Sequence, residues 1–361
     1  MIIYLIATLM SLFFSFLYKK EKTLRYLWAV LTFLPLFLVA AFRKFVGTDY
    51  YHYYYDKVPY LLKDGNGLEE IGYTILAKFS VLFLGNYQWL IAFTAFIVCF
   101  FTYKSFFQNS KNIQTSIIFW VSFGCFYFSL NAMRQAMAIA IFLFSVKYIE
   151  KRESKKFLLC VLFASSIHLS AIIYIPMYFL LTQRISNRVL FSVSAFLYLV
   201  WPVVSLIFYQ MILGKYAGYF DWGEISGYNW RFLLPLLLLL ILELRRPFLM
   251  VGQSSLSLKE NIYKNLFIFS FWACNLAPTL TGASASRIIH FFLPGAAIYC
   301  SFLLERYSLK VKYAFYIGFL GIFFWISDAN PGWVLPYRSI FSDVQMSYST
   351  YQLILYEKKG Q

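Results

Sequence analysis

Charge is what this sequence has least of. Only 13% of the 361 residues are charged, and 16 acids face 32 lysines and arginines. Soluble domains carry about a quarter charged residues, so an ordinary water-facing surface cannot be built and no separable soluble domain is expected. Cysteine is sparse too. Cys99, Cys125, Cys160, Cys274 and Cys300 all lie inside apolar runs without paired spacing. That argues against disulfides or thiolate metal sites and for packing. No Walker-type loop, dinucleotide glycine fingerprint, His-Glu-x-x-His helix or Gly-x-Ser-x-Gly elbow occurs. The loops read as outer hold no Asp-x-Asp pair. The expected chemistry uses neither metal nor cofactor.

What is present is apolar. Hydrophobic residues make up 61% of the chain, and apolar runs recur from Met1 to Ile326. They fall at 2–18, 25–42, 88–107, 113–130, 131–149, 155–168, 169–182, 189–209, 230–244, 264–279, 287–304 and 311–327. The expected fold is an all-α polytopic membrane protein of about 12 transmembrane helices, one integral membrane domain over residues 1–361. Ile2–Tyr18 lacks the basic start and small-residue cleavage site of a signal peptide and reads as a retained first span. The 22% aromatic content suits broad interfacial belts. The net charge of +16 does not make a nucleic-acid surface, because the basic residues punctuate apolar runs instead of forming one face.

Those basic residues occupy alternate loops: Lys19–Arg25, Lys104–Lys111, Lys147–Lys156, Arg184–Arg188, Arg245–Lys264 and Arg306–Lys312. Together these loops hold 20 of the 32 lysines and arginines. The positive-inside rule places them in the cytoplasm and both termini outside. Two segments strain the alternation. Leu68–Leu84 repeats apolar residues with a helical period, Glu69, Glu70, Thr74 and Lys78 lying elsewhere around the wheel, and reads as an amphipathic helix in the outer interface. Lys155–Thr182 must cross twice in too few residues, and reads as two short helices meeting near His168. Non-helical backbone at that depth is tolerated where it lines a watery cavity.

With this topology the unusual polar residues gather on one side. Asn131, Arg134 and Gln135 share a helix face at i, i+3 and i+4. A guanidinium near hydrocarbon depth costs several kcal/mol unless it meets water or an anion. With amides as its neighbours in sequence, Arg134 reads as free for an anionic ligand. The alternative is a structural arginine satisfied by loop carbonyls. Arg43 and Asp49 frame a loop rich in tyrosine, where Tyr50 and Tyr53 can stack on sugar and Asp49 can act as general base. An interfacial tyrosine belt is the structural alternative. His168, flanked by Ser165, Ser166 and Ser170, is either a second base or a hydrogen-bonded core residue. Arg287 and His290 follow a small-residue stretch that suits a phosphate site at a helix start, or Arg287 snorkels to lipid headgroups.

These stretches together resemble the EpsG-type family of bacterial polysaccharide polymerases, related to the Wzy O-antigen polymerases. The matching pieces are Arg43-x-x-x-Gly47-Thr48-Asp49-Tyr50-x-x-Tyr53, Asn131-x-x-Arg134-Gln135-x-x-Ala138 and Ile167-His168-x-Ser170-Ala171, with weaker matches at Arg287 through Pro294 and Leu335-Pro336-Tyr337. The resemblance implies a multi-pass enzyme of the bacterial inner membrane, a glycosyltransferase that joins polyprenyl-pyrophosphate-linked oligosaccharides outside the cytoplasm. It implies a GT-C-like fold with interfacial helices in the first outer loop. It also implies the lipid bilayer and lipid-linked glycans as partners, with a flippase and a chain-length regulator in the same pathway. On that reading Arg134 and Arg287 clamp the pyrophosphate, with Arg43 beside them and Asn131 and Gln135 orienting it. Asp49, which is favoured, or His168 deprotonates the acceptor. The rival readings are a lipid-linked oligosaccharide flippase and a membrane O-acyltransferase that uses His168.

Overall fold

In the first helix the polarity of a soluble protein is turned outwards. Across α1 (Ile2–Lys20) the buried positions are Tyr4, Ala7, Thr8, Ser11 and Ser15, whereas Ile2, Ile6, Leu9, Phe13 and Phe16 are exposed. Small hydroxylated residues let helices approach closely in lipid. Ser11 does so here, its hydroxyl donating to the carbonyl of Thr32 at 2.7 Å and lying 2.6 Å from the Tyr103 hydroxyl. An apolar rim around a hydroxyl-lined interior is a membrane solution.

The computed structural model describes residues 1–59, 70–201, 230–249, 256–276, 282–329 and 334–341. Among these the regular structure is helical, and the one strand-like feature is an isolated bridge between Arg43 and Ser339. After α1 come α2 (Arg25–Ala41), the short α3 (Thr48–His52), α4 (Ile71–Lys78), α5 (Tyr87–Asn109), α6 (Ile113–Ser122), α7 (Cys125–Asn131), α8 (Met133–Glu150) and α9 (Ser154–Ile167). The chain continues through α10 (Met177–Leu180), α11 (Asn187–Ala195), α12 (Trp230–Leu249), α13 (Leu258–Leu276), α14 (Gly282–His290), α15 (Leu293–Leu304) and α16 (Leu309–Ala329).

Successive passes alternate between two ends of the bundle. The Tyr4 hydroxyl at the start of α1 donates to Val334, and Gln88 at the start of α5 donates to the carbonyls of Ala41 and Arg43, so these residues share one end. At the other end Lys259 meets both Glu150 and the Gln108 carbonyl, and Glu260 pairs with Arg306. The basic clusters therefore collect at one end and the motif residues at the other.

Several expectations change. Only Ile2–Lys20 and Tyr87–Asn109 are, among the described helices, long and apolar enough to cross a membrane on their own, with a third if α6 and α7 count as one bent span. The helix expected over 113–130 breaks by 52° at Gly124, whose φ is +72°. The run 287–304 breaks at Phe291–Phe292. The segment 169–182 is not an α-helix but a 3₁₀ stretch, Leu169–Tyr174, followed by α10. It does return, because Asn261 and Asn265 donate to the Gln183 carbonyl at 2.9 and 2.7 Å. A 3₁₀ helix rises about 2.0 Å per residue against about 1.5 Å in an α-helix, which lengthens a short pass. The amphipathic helix of the first loop is present over Ile71–Phe83, with Ile71, Ile75 and Leu82 exposed and Tyr73, Ala77 and Ser80 buried. Leu68 and Glu69, and the later parts of the runs expected at 189–209 and 264–279, lie outside the described residues.

Candidate active site

The site begins with two helix starts that cap each other. Gly47 has a φ of +91°, and a Cβ there would overlap the Leu130 carbonyl. Only glycine lets the first loop lie against the end of α7. Once there, the Thr48 amide donates to Asn131 Oδ1 at 3.0 Å, and the Thr48 hydroxyl donates to the Asn131 carbonyl at 2.9 Å. In return Asp49 Oδ2 accepts from the Met133 amide at 2.7 Å, just where α8 begins after the non-helical Ala132. A carboxylate at a helix start satisfies an otherwise unpaired donor and suits the dipole. The Gly-Thr-Asp and Asn-x-x-Arg motifs are thus one interlocked structure. Gly47→Ala is expected to lower the melting temperature sharply in detergent, since left-handed φ alone costs alanine about 1–2 kcal/mol before the overlap is counted.

The turn at Ala132 sets Arg134 against Glu70. Its guanidinium pairs with Glu70 Oε2 and lies over the Tyr53 and Tyr73 rings, 5.6 and 6.0 Å from their centroids. The other carboxylate oxygen, Oε1, sits 3.2 Å from His168 Nδ1 and accepts from the Leu169 amide at 3.5 Å. Glu70 also starts α4, and Gly72 allows that helix to press against Ser166 next to the end of α9. One carboxylate therefore joins the first loop, α8 and the turn at His168. Arg287 on α14 is exposed and close enough to Asp49 to stabilise its charge. Gln135 donates to the Arg287 carbonyl at 2.9 Å and fixes α14 against α8. The tail closes this end, with Tyr337 donating to Val39 at 3.0 Å and the Lys44 amide donating to the Arg338 carbonyl at 2.9 Å.

Most of the chain matches a known family. A family model described as the EpsG family covers residues 26–339. The chain belongs to the EpsG family. No curated protein and no solved structure matches it. Membership, with the outward-facing apolar helices, makes this a membrane protein of the class that polymerises polysaccharide.

Within this EpsG-family protein, several residues stand differently from their sequence-based expectation. Arg134 is not a lone cation, because Glu70 neutralises part of its charge. That carboxylate lies 64 residues away in sequence, beyond the reach of helix periodicity. Asn131 accepts from the Thr48 amide and Gln135 donates to the Arg287 carbonyl, so both amides tie neighbouring segments together. Arg43 is 2% exposed, packed among Tyr4, Tyr50 and Tyr87, and its Nε and Nη2 have no hydrogen-bond partner among the described residues. Tyr50 and Tyr53 are core rings, 3% and 2% exposed, and Tyr50 donates to Gln88 at 3.2 Å. Tyr54, which stacks beside Tyr50, is exposed. His290 is buried and stacked on Phe128 with ring centroids 4.0 Å apart.

Protonation differs between the two carboxylates. Asp49 is not in open water: burial pushes its carboxyl above the ordinary range, against the opposing pull of the Met133 amide, Arg287 and Arg134. Burial also works to raise Glu70, but the His168 hydrogen bond and the Arg134 charge outweigh it and hold Glu70 below the usual carboxylate range. Glu70 is thus the reliably ionised partner at neutral pH. The raised Asp49 value means that burial disfavours its charged form. As pH rises through that value, the folded state loses stability relative to a protonated Asp49. Asp49→Asn is therefore expected to leave the melting temperature at neutral pH unchanged or slightly higher, as the amide oxygen can still accept from Met133.

Proposed function

We propose that the protein joins polyprenyl-pyrophosphate-linked oligosaccharide repeat units into a surface polysaccharide at the outer face of the bacterial inner membrane. The overall architecture on this reading is GT-C-like, with Ile71–Phe83 as the interfacial helix of the first outer loop. The observation that carries the proposal is the contact of Glu70 with both His168 and Arg134. It sets a carboxylate-oriented imidazole and a cation on one carboxylate, with Arg287 near Asp49 at the same end, which suits glycosyl transfer from a lipid pyrophosphate.

The acceptor hydroxyl oxygen forms a bond to the anomeric carbon while the bond from that carbon to the pyrophosphate oxygen breaks. The electron pair leaves with the lipid pyrophosphate. Arg287 and the outward edge of Arg134 meet that growing negative charge, and fixed cations in a site poor in water do so strongly. The hydroxyl proton goes to His168 Nε2. Glu70 holds Nδ1, which fixes the ring orientation and supports the imidazolium that forms. This geometry favours His168 over Asp49 as base, because Asp49 already caps α8. About 23% of the His168 side chain is exposed, enough for a hydroxyl to reach it.

A carboxylate-backed histidine also suits acyl transfer, and a cationic end also suits lipid translocation. The test is product analysis with purified protein and a synthetic lipid-linked repeat unit. A ladder of lengthened glycans is the expected product. A lipid that only changes leaflet, or a glycan that gains an acyl group, would replace this proposal with one of the other two.

A further inference from the structure

At the end of the bundle away from Glu70, the ends of α1 and α5 and the starts of α2 and α6 enclose a cavity of about 290 Å³. Four exposed cations line it, Lys19, Lys22 and Arg25 from around the turn between α1 and α2 and Lys111 from the turn between α5 and α6, together with Ser110 and Gln114. No carboxylate is among the described residues that line it. None of the four cations forms an ion pair among the described residues. The nearby Glu305 is already engaged by Lys312 at 2.6 Å and Asn112 at 2.8 Å. Like charges crowded into a concave wall repel one another and concentrate a positive field, an arrangement that favours an anion and not the empty fold.

The wall is also held in place. The Lys111 amide donates to Ser301 at 2.9 Å, Asn112 caps the Gln114 amide at 3.1 Å, and the Arg25 guanidinium lies 4.6 Å above the Tyr18 ring. The first turn of α6 begins at the same place and adds the positive end of its dipole. Length sets the site apart from the reaction centre. Along α1 the rise from Tyr4 to Lys19 is roughly 22 Å.

We propose that this cavity binds a phosphate monoester, carried by a lipid headgroup or free in solution, at the end of the protein opposite the reaction centre. Its volume suits a headgroup and is small for a ligand pocket. The inference stands apart from the proposed chemistry, and its readout is binding and not glycan synthesis.

The test uses the full-length purified protein and follows thermal unfolding in two series. One titrates inorganic phosphate. The other compares phosphatidic acid with phosphatidylcholine in nanodiscs. Stabilisation is expected for the wild type and for Lys20→Gln, whose exposed charge is not among the cavity-lining residues. The Lys19→Gln/Lys22→Gln/Lys111→Gln variant should lose at least tenfold in apparent affinity, while the corresponding triple Lys→Arg variant keeps it. A response to phosphatidic acid alone assigns a lipid, and an equal response to inorganic phosphate assigns a free ligand. If the triple Gln variant does not fold, Lys22→Gln supplies the comparison by native mass spectrometry. Equal affinity in the wild type and the Gln variants overturns the proposal.

Discussion

Arg134→Ala is expected to abolish chain growth, a loss of about three orders of magnitude or more, on the scale of removing a transition-state charge stabiliser. Arg134→Lys should recover little, since an ammonium cannot face Glu70 and a phosphate oxygen with one planar fork. The structure adds a complication that the sequence hides. Removing Arg134 leaves Glu70, only 10% exposed, without its cation. Breaking a fully buried pair costs about 3–5 kcal/mol; Arg134 is 25% exposed, so the cost here is nearer about 1–2 kcal/mol. The double variant Arg134→Gln/Glu70→Gln separates the two effects. It should restore melting temperature and expression while chain growth stays lost. Restored growth would mean that Arg134 only neutralises Glu70.

His168→Gln should reduce chain growth by about two to four orders of magnitude, the usual cost of losing a general base. Glu70→Gln should cost less, about tenfold to a hundredfold, because an amide can still position the ring but cannot stabilise an imidazolium. Asp49→Asn should stay within about tenfold of the wild type, since its cap on α8 survives. Single-turnover rates at saturating lipid-linked substrate distinguish these from changes in binding. An inactive Asp49→Asn with an active His168→Gln would return the base to Asp49.

The sequence made much of this site legible, and the reason is locality. Gly47, Thr48 and Asp49, or Asn131 and Arg134, announce themselves through spacing within a few residues of one another. The alternation of basic loops revealed which helix ends would meet. The Glu70 partnership was not legible, because it depends on a contact across 64 residues at the start of a helix whose wheel places Glu70 away from the apolar stripe. Tyr50 and Tyr53 were hard to place for a related reason: a tyrosine-rich loop reads as a sugar platform or an interfacial belt, and only packing against Tyr87 and Tyr73 shows those rings to be core. The 3₁₀ pass after His168 escaped too. Apolar composition fixes that a segment is buried in lipid or protein, but not the pitch at which it crosses.

Photoaffinity mapping tests the central claim most directly. The probe is a polyprenyl-pyrophosphate oligosaccharide with a photoreactive group on the sugar next to the pyrophosphate, bound to the wild-type protein in nanodiscs and mapped by peptide mass spectrometry. If the pyrophosphate departs beside Glu70, Arg134 and His168, the crosslinks fall in peptides holding Tyr54, Arg134, His168 and Arg287, and competing unlabelled substrate removes them. Crosslinks confined to the Lys19–Arg25 and Lys111 end would contradict the assignment of the reaction centre.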